Sequence, residues 1–176
     1  MKILPFPELR QVYLFDCGAN ELQQMLVFAG INEREDAIMK LAGTDPENGT
    51  STAGVLQVFS AYNLPHLSGD QMMPDNLRRG IDAGHPTILT LQAYRDDPGI
   101  PYSACWNDGH WVAAIGYYET GIIFDDPAAF TRTWLDDAEL CERWHDLDSG
   151  DVRLYHWGCT LLAEGKFIPG AVEHME

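Results

Sequence analysis

Apolar residues recur at helical spacing through the first half of the chain. Between residues 17 and 29 they fall at Leu22, Met25, Leu26 and Ala29, with Gly30 placed to end the helix. Residues 33–42 repeat the pattern with Ala37, Ile38, Leu41 and Ala42, closed by Gly43. Residues 44–50 (TDPENGT) read as loop. A third helix is signalled by Val55, Val58, Phe59 and Tyr62, with Thr50 or Ser51 capping its start. A short fourth helix over residues 74–83 turns Leu77 and Ile81 inward and stops at Gly84.

Beyond residue 85 the period changes. Residues 86–91 and 111–118 are β-type runs, and Glu119-Thr120-Gly121 supplies a turn into a further strand at Ile122-Ile123-Phe124. The last two runs predict a hairpin. Residues 135–145 read as helix and 151–162 as a final strand. Helices first and strands after, with little βαβ alternation, predict an α+β fold: N-terminal helices packed on an antiparallel sheet.

At 176 residues without repeats or linker-like shifts, one domain spanning 1–176 is expected. With 45% hydrophobic and 22% charged residues, the chain can bury a proper core. Its 11 Lys and Arg against 27 Asp and Glu give a formal net charge of −16. So acidic a surface repels phosphate backbones and argues against nucleic-acid binding, while favouring basic or neutral partners. No apolar run approaches the roughly 20 residues that span a membrane, and Pro5 and Pro7 break the start too early for a signal peptide. A cytoplasmic location with reduced thiols is therefore expected.

In that setting Cys17, Cys105, Cys141 and Cys159 are too scattered for a zinc site, a redox pair or a disulfide framework. No metal or cofactor is expected. Cys17 differs from the rest in place: it opens a predicted helix directly after Asp16, a candidate cap. Unpaired N–H groups and partial positive charge at a helix start favour a thiolate, and such placement lowers a cysteine pKa from ~8.5 to between ~3.5 and ~7.5. Gly18 is expected to leave the sulfur approachable. His110 begins the strongly apolar run of residues 111–118, at a strand end where an imidazole can act as base. Asp125-Asp126-Pro127 closes the next strand of the hairpin, where a carboxylate can orient that imidazole. Each part alone is compatible with ordinary packing.

Taken together and in this order, Gln11 with Asp16-Cys17-Gly18, then Gly109-His110, then Asp126-Pro127 resemble the papain-like cysteine peptidases. The pattern is most similar to the bacteriocin-processing peptidase family, which includes the leader-cleaving domains of peptide-exporting ABC transporters. Gly49-Thr50-Ser51, Gly84-His85-Pro86-Thr87-Ile88 and the run from Gly109 to Tyr117 add to the likeness.

The resemblance implies a papain-like fold with Cys17 as nucleophile and His110 as general base and acid. It implies that Asp126 orients His110 and that the Gln11 amide, six positions before Cys17, steadies the oxyanion. Asp125 replaces Asp126 if the strand register shifts by one. Cys105, Cys141 and Cys159 are read as structural, and His145-Asp146 as a helix end near the surface. Trp106, Trp111, Tyr102 and Tyr117 are candidates to line a cleft.

The sequence carries no phosphate-cradling loop and no membrane span, so the double-glycine specificity of the transporter branch does not carry over. The expected activity is cleavage of a peptide or amide bond, with a peptide or protein substrate, basic peptides being suggested by the charge. Transfer of the acyl group to an amine, or peptide binding on an inactive fold, are the competing readings. Oligomeric state is not legible.

Overall fold

The computed structural model describes residues 1–172 and 174. Among the described residues five α-helices form: α1 (Cys17–Phe28), α2 (Glu35–Ala42), α3 (Thr52–Ala61), α4 (Pro74–Asp82) and α5 (Asp137–Arg143). Nine strands accompany them: β1 (Lys2–Ile3), β2 (His66–Gly69), β3 (Thr87–Gln92), β4 (Gly109–Tyr117), β5 (Gly121–Asp125), β6 (Thr133–Asp136), β7 (His145–Asp148), β8 (Val152–Tyr155) and β9 (Gly158–Leu161). The main sheet is antiparallel in the order β2-β9-β3-β4-β5-β6, with β1 added against the far end of β4. Strands β7 and β8 form a separate hairpin.

The expected architecture stands, with a layer added. Helices α1 to α3 bury Leu22, Met25, Ile38, Val55 and Phe59 on one face of the sheet, against Trp111, Ala113 and Ile115. Leu77 of α4, Leu140 of α5 and Trp144 just beyond α5 pack on the other face, against Leu89, Val112, Ala114 and Phe124. Strand β4 is thus covered on both sides, which is why its sequence runs apolar without alternating. Gly43 ends α2 in the left-handed conformation at φ 68°, and Ser51 Oγ caps α3 by accepting the Gly54 N–H at 3.1 Å.

The expectations failed where pairing is short or broken. The run 135–145 is helical only over α5, because β6 and β7 claim its flanks. The run 151–162 is two strands: the chain turns at His156, φ 53°, so β8 joins the hairpin and β9 the main sheet. Neither β1 nor β2 carries a periodic signal long enough to read. Among the described residues no helix is long and apolar enough to cross a membrane.

Candidate active site

Cys17 is the first residue of α1 and is buried. Asp16 occupies the cap position but does not cap. Its Oδ2 accepts from the N–H groups of Val12 and Tyr13 at 3.1 and 3.0 Å, folding the preceding segment back and making no bond to the helix. The first-turn amides are left without a carboxylate, which keeps the positive end of α1 beside the sulfur. Gly18 serves packing more than access. A Cβ there would lie 2.6 Å from Thr50 Cβ and 2.8 Å from Trp111 Cδ1, so only glycine lets α1 seat on those residues. Trp111 Nε1 donates to the Thr50 carbonyl at 2.9 Å and holds that seat.

His110, near the start of β4, is buried, and its Nε2 lies 2.8 Å from Asp126 Oδ1. Burial alone would depress the imidazole. The bonded Asp126 carboxylate and the neighbouring Cys17 thiol outweigh that and lift it to about 9. Asp126 directly follows β5 and accepts three further donors: the Ala128 amide at 3.0 Å on Oδ1, and Tyr94 and Thr133 hydroxyls at 2.6 and 3.3 Å on Oδ2. Burial opposes its ionisation, yet the imidazole and the Tyr94 phenol hold its pKa below the usual carboxylate value.

The choice between the two aspartates is one of faces. Ile122 and Phe124 of β5 belong to the same core as Val112, and Asp126 continues that alternation to the side of His110. Asp125, fully buried, pairs instead with Arg132.

Gln11 lies in the segment leading to α1. Its backbone N–H donates to the Pro127 carbonyl at 3.1 Å, tying this segment to the Asp126 turn. Its side-chain Nε2 donates to the Tyr13 carbonyl at 2.7 Å, and its Oε1 is buried without a partner.

Burial pushes the Cys159 thiol up to about 12, and burial also raises Cys105 and Cys141. Cys105 Sγ donates to Asp108 at 2.8 Å.

The expectation for His145 and Asp146 is corrected. His145 is buried on β7, its Nε2 donating to the Cys105 carbonyl at 2.7 Å. Asp146 accepts from Thr90, from Gln92 Nε2 at 3.0 Å and from the Leu147 amide at 2.8 Å. It rests on Gly109, where a Cβ would meet both carboxylate oxygens at 2.4 Å. A glycine before His110 is what admits this carboxylate to the cleft.

A cavity of about 410 Å³ opens on Cys17. Trp106, Trp111, Leu14 and Leu154 supply apolar wall, and Glu47, Asp146, Asp148 and Asp151 supply carboxylates, with no lysine or arginine among the lining residues. A second cavity of about 410 Å³ lies on the far side of His110, bounded by Tyr94, Tyr102, Trp134 and Asp126. Trp106 and Trp111 line the cavity on Cys17 and Tyr102 lines the second, whereas Tyr117 donates to Asp82 at 2.9 Å, outside both. Sequence reasoning missed Tyr94, Thr133 and the cleft position of Asp146. Tyr94 lies in a loop, and Thr133 and Asp146 lie on four-residue strands too short for a periodic signal, so no pattern points to them. Among the described residues no group of three or more His, Cys, Asp or Glu is placed to hold a metal ion.

Residues 3–151 match the model of the Peptidase_C39 like family. A C39-like peptidase from Bacillus anthracis superposes with a TM-score of 0.71 at 13% identity, covering 94% of this chain and 100% of that one. The peptidase domain of Streptococcus ComA, a bifunctional ABC transporter in a quorum-sensing pathway, gives 0.64 at 16%, covering 92% and 98%. A double glycine motif protease from an AMS/PCAT transporter, solved with its leader peptide, gives 0.61 at 17%, covering 89% and 94%. No curated protein sequence matches the chain. The fold is that of these peptidases, and the match over residues 3–151 makes the chain a member of the Peptidase_C39 like family, a cysteine peptidase.

Proposed function

We propose that this peptidase cleaves a peptide bond through a thiolate–imidazolium pair of Cys17 and His110, with Asp126 orienting the imidazole. The observation that carries it is the buried His110–Asp126 pair, with Nε2 2.8 Å from the carboxylate, beside a cysteine at a helix start whose thiol helps to raise the imidazole. The thiolate attacks the scissile carbonyl carbon, and the developing oxyanion takes the Cys17 backbone N–H and an amide N–H of Gln11. The Gln11 amide nitrogen has two N–H groups. One is spent on the Tyr13 carbonyl, which fixes the side chain, and the other is free for the oxyanion. His110 then protonates the leaving amine, and water releases the acyl group from sulfur. Residues 1–176 act as one catalytic domain. A reducing cytoplasm suits the free nucleophile.

Basic peptides are the favoured substrates in this reading. Four carboxylate residues and no cation line the cavity on Cys17, and the chain carries −16 overall. Glu47→Gln with Asp151→Asn, which spare the buried network of Asp146, should raise KM for lysine- or arginine-containing peptides about two- to fivefold. Equal turnover of basic and acidic peptides at all salt concentrations would remove the preference.

The central test is alkylation of the reduced, folded protein by iodoacetamide from about pH 4 to about pH 9, mapped by peptide mass spectrometry. Cys17 alone should label fast in the acidic range, and His110→Ala should abolish that. Activity should fall as pH rises through about 9, where the imidazolium gives up its proton. Labelling of Cys17 with the midpoint of a free thiol, ~8.5, would leave an inactive peptide-binding fold as the better account.

A further inference from the structure

Orientation of His110 uses only one oxygen of Asp126. Oδ1 faces His110 Nε2 at 2.8 Å, while Oδ2 takes the Tyr94 phenol at 2.6 Å. The same ring stands edge-on to the imidazole, with centroids 5.4 Å apart and planes at 78°. Tyr94 lies just beyond β3, and its backbone sits at φ 55°, a left-handed conformation that a bulky residue keeps only where its surroundings hold it. Core packing does not account for this, since the residue is 58% exposed. What the conformation achieves is the aim of one hydroxyl at one carboxylate oxygen.

We propose that Tyr94 is a positioning residue for the Cys17–His110 pair: its phenol anchors Asp126 through Oδ2, keeping Oδ1 in line with His110, and its ring shields the imidazole edge from water. The inference rests on the peptidase reading above. A carboxylate held on one oxygen swings about its Cα–Cβ and Cβ–Cγ bonds; anchored on both, it presents one lone-pair direction to the imidazole. Thr133, at 3.3 Å from the same oxygen, is the weaker anchor. The cavity bounded by Tyr94, His110 and Asp126 shows what the ring excludes, because its removal would widen that space onto the His110–Asp126 bond. Water there would weaken the ion pair by screening it.

The test compares the wild type with Tyr94→Phe and Tyr94→Ala, reading peptide kcat and KM, melting temperature and the pH profile of Cys17 alkylation. The titratable groups facing Asp126 are His110 on β4, Tyr94 itself and Glu21 on α1, and Cys17 on α1 faces His110. Glu139 and Arg143 of α5 line the same cavity.

Tyr94→Phe keeps the ring and loses the donor. Its melting temperature should match the wild type, and kcat should fall about three- to tenfold at unchanged KM. The acid limb of the alkylation profile should move up by up to about one pH unit, since a carboxylate without its phenol donor takes a proton more readily. Tyr94→Ala should lose further activity as water reaches the pair. A Tyr94→Phe profile and kcat superimposable on the wild type would overturn the inference and leave the peptidase reading intact. A wild type without low-pH labelling of Cys17 would overturn both.

Discussion

Asp125 and Asp126 are neighbours in sequence and opposites in use. Asp126 emerges on the sheet face of Phe124 and Val112, where it meets His110, Tyr94 and the Ala128 amide. Asp125 emerges on the α1 side and pairs with Arg132. The same guanidinium donates to the carbonyls of Phe6 and Pro7 at 2.8 and 3.0 Å and pairs with Glu8 at 3.1 Å. One carboxylate bonds the imidazole that the proposed mechanism uses as its base, and the other clasps the segment that carries Gln11. The alternation of a strand is enough to separate a chemical role from a structural one at adjacent positions.

The largest expected effect falls on Asp126. Asp126→Asn keeps the shape of the side chain but removes the charge that holds the imidazolium, and kcat should fall about 10²- to 10⁴-fold. Its melting temperature should also fall by a few degrees near neutral pH, because the charge removed there stabilises the folded protein. The pKa of Asp126 is lowered in the folded protein, so its stabilisation is present above the unfolded carboxylate value and lost as pH falls below it. The difference in melting temperature should therefore be read near pH 7.

Asp125→Asn should do the reverse. It leaves the largely buried Arg132 short of its carboxylate, a change worth about 3–5 kcal/mol, or roughly 6–20 °C in melting temperature. Well below that melting point kcat should hold within about twofold, provided the clasp acts only through stability. Should Asp125→Asn abolish turnover while melting normally, the division of labour between the two faces would be wrong.

This division explains what was legible in the sequence. Cys17 at a helix start, His110 at the head of an apolar strand and the hairpin into Asp126 are all local patterns, and the structure brings the three side chains together. The face that Asp126 takes was open by one residue, because register depends on pairing that no single strand encodes. Asp16 has the residue type of a cap but turns to Val12 and Tyr13, an option short polar side chains always have. Asp146 reaches the cleft only because β7 folds beside β3 and Gly109 leaves room. Tyr94 finds Asp126 across 32 positions, and nothing near it in sequence announces that partner.

Glu21 offers the finest test of the same boundary, with the smallest expected effect. It lies on α1 one turn beyond Cys17, is fully buried, and neither of its carboxyl oxygens has a hydrogen-bond partner. Burial raises its pKa well above the ordinary value of 4.5; the charge of Asp126 adds to the rise and Arg132 offsets part of it. The folded protein therefore keeps a proton on Glu21 that the unfolded chain releases above about pH 4.5. Its contribution to stability is greatest below that pH and diminishes as pH climbs toward the folded value. Glu21→Gln removes the titration while preserving volume. It should raise the melting temperature by a few degrees near pH 7, with the gain vanishing as pH falls toward 4. A lower melting temperature at pH 7 would mean that Glu21 is ionised and serves Arg132 as a further carboxylate. The clasp would then extend from β5 onto α1, within about one helical turn of Cys17, and the separation between the two faces would end at the strand.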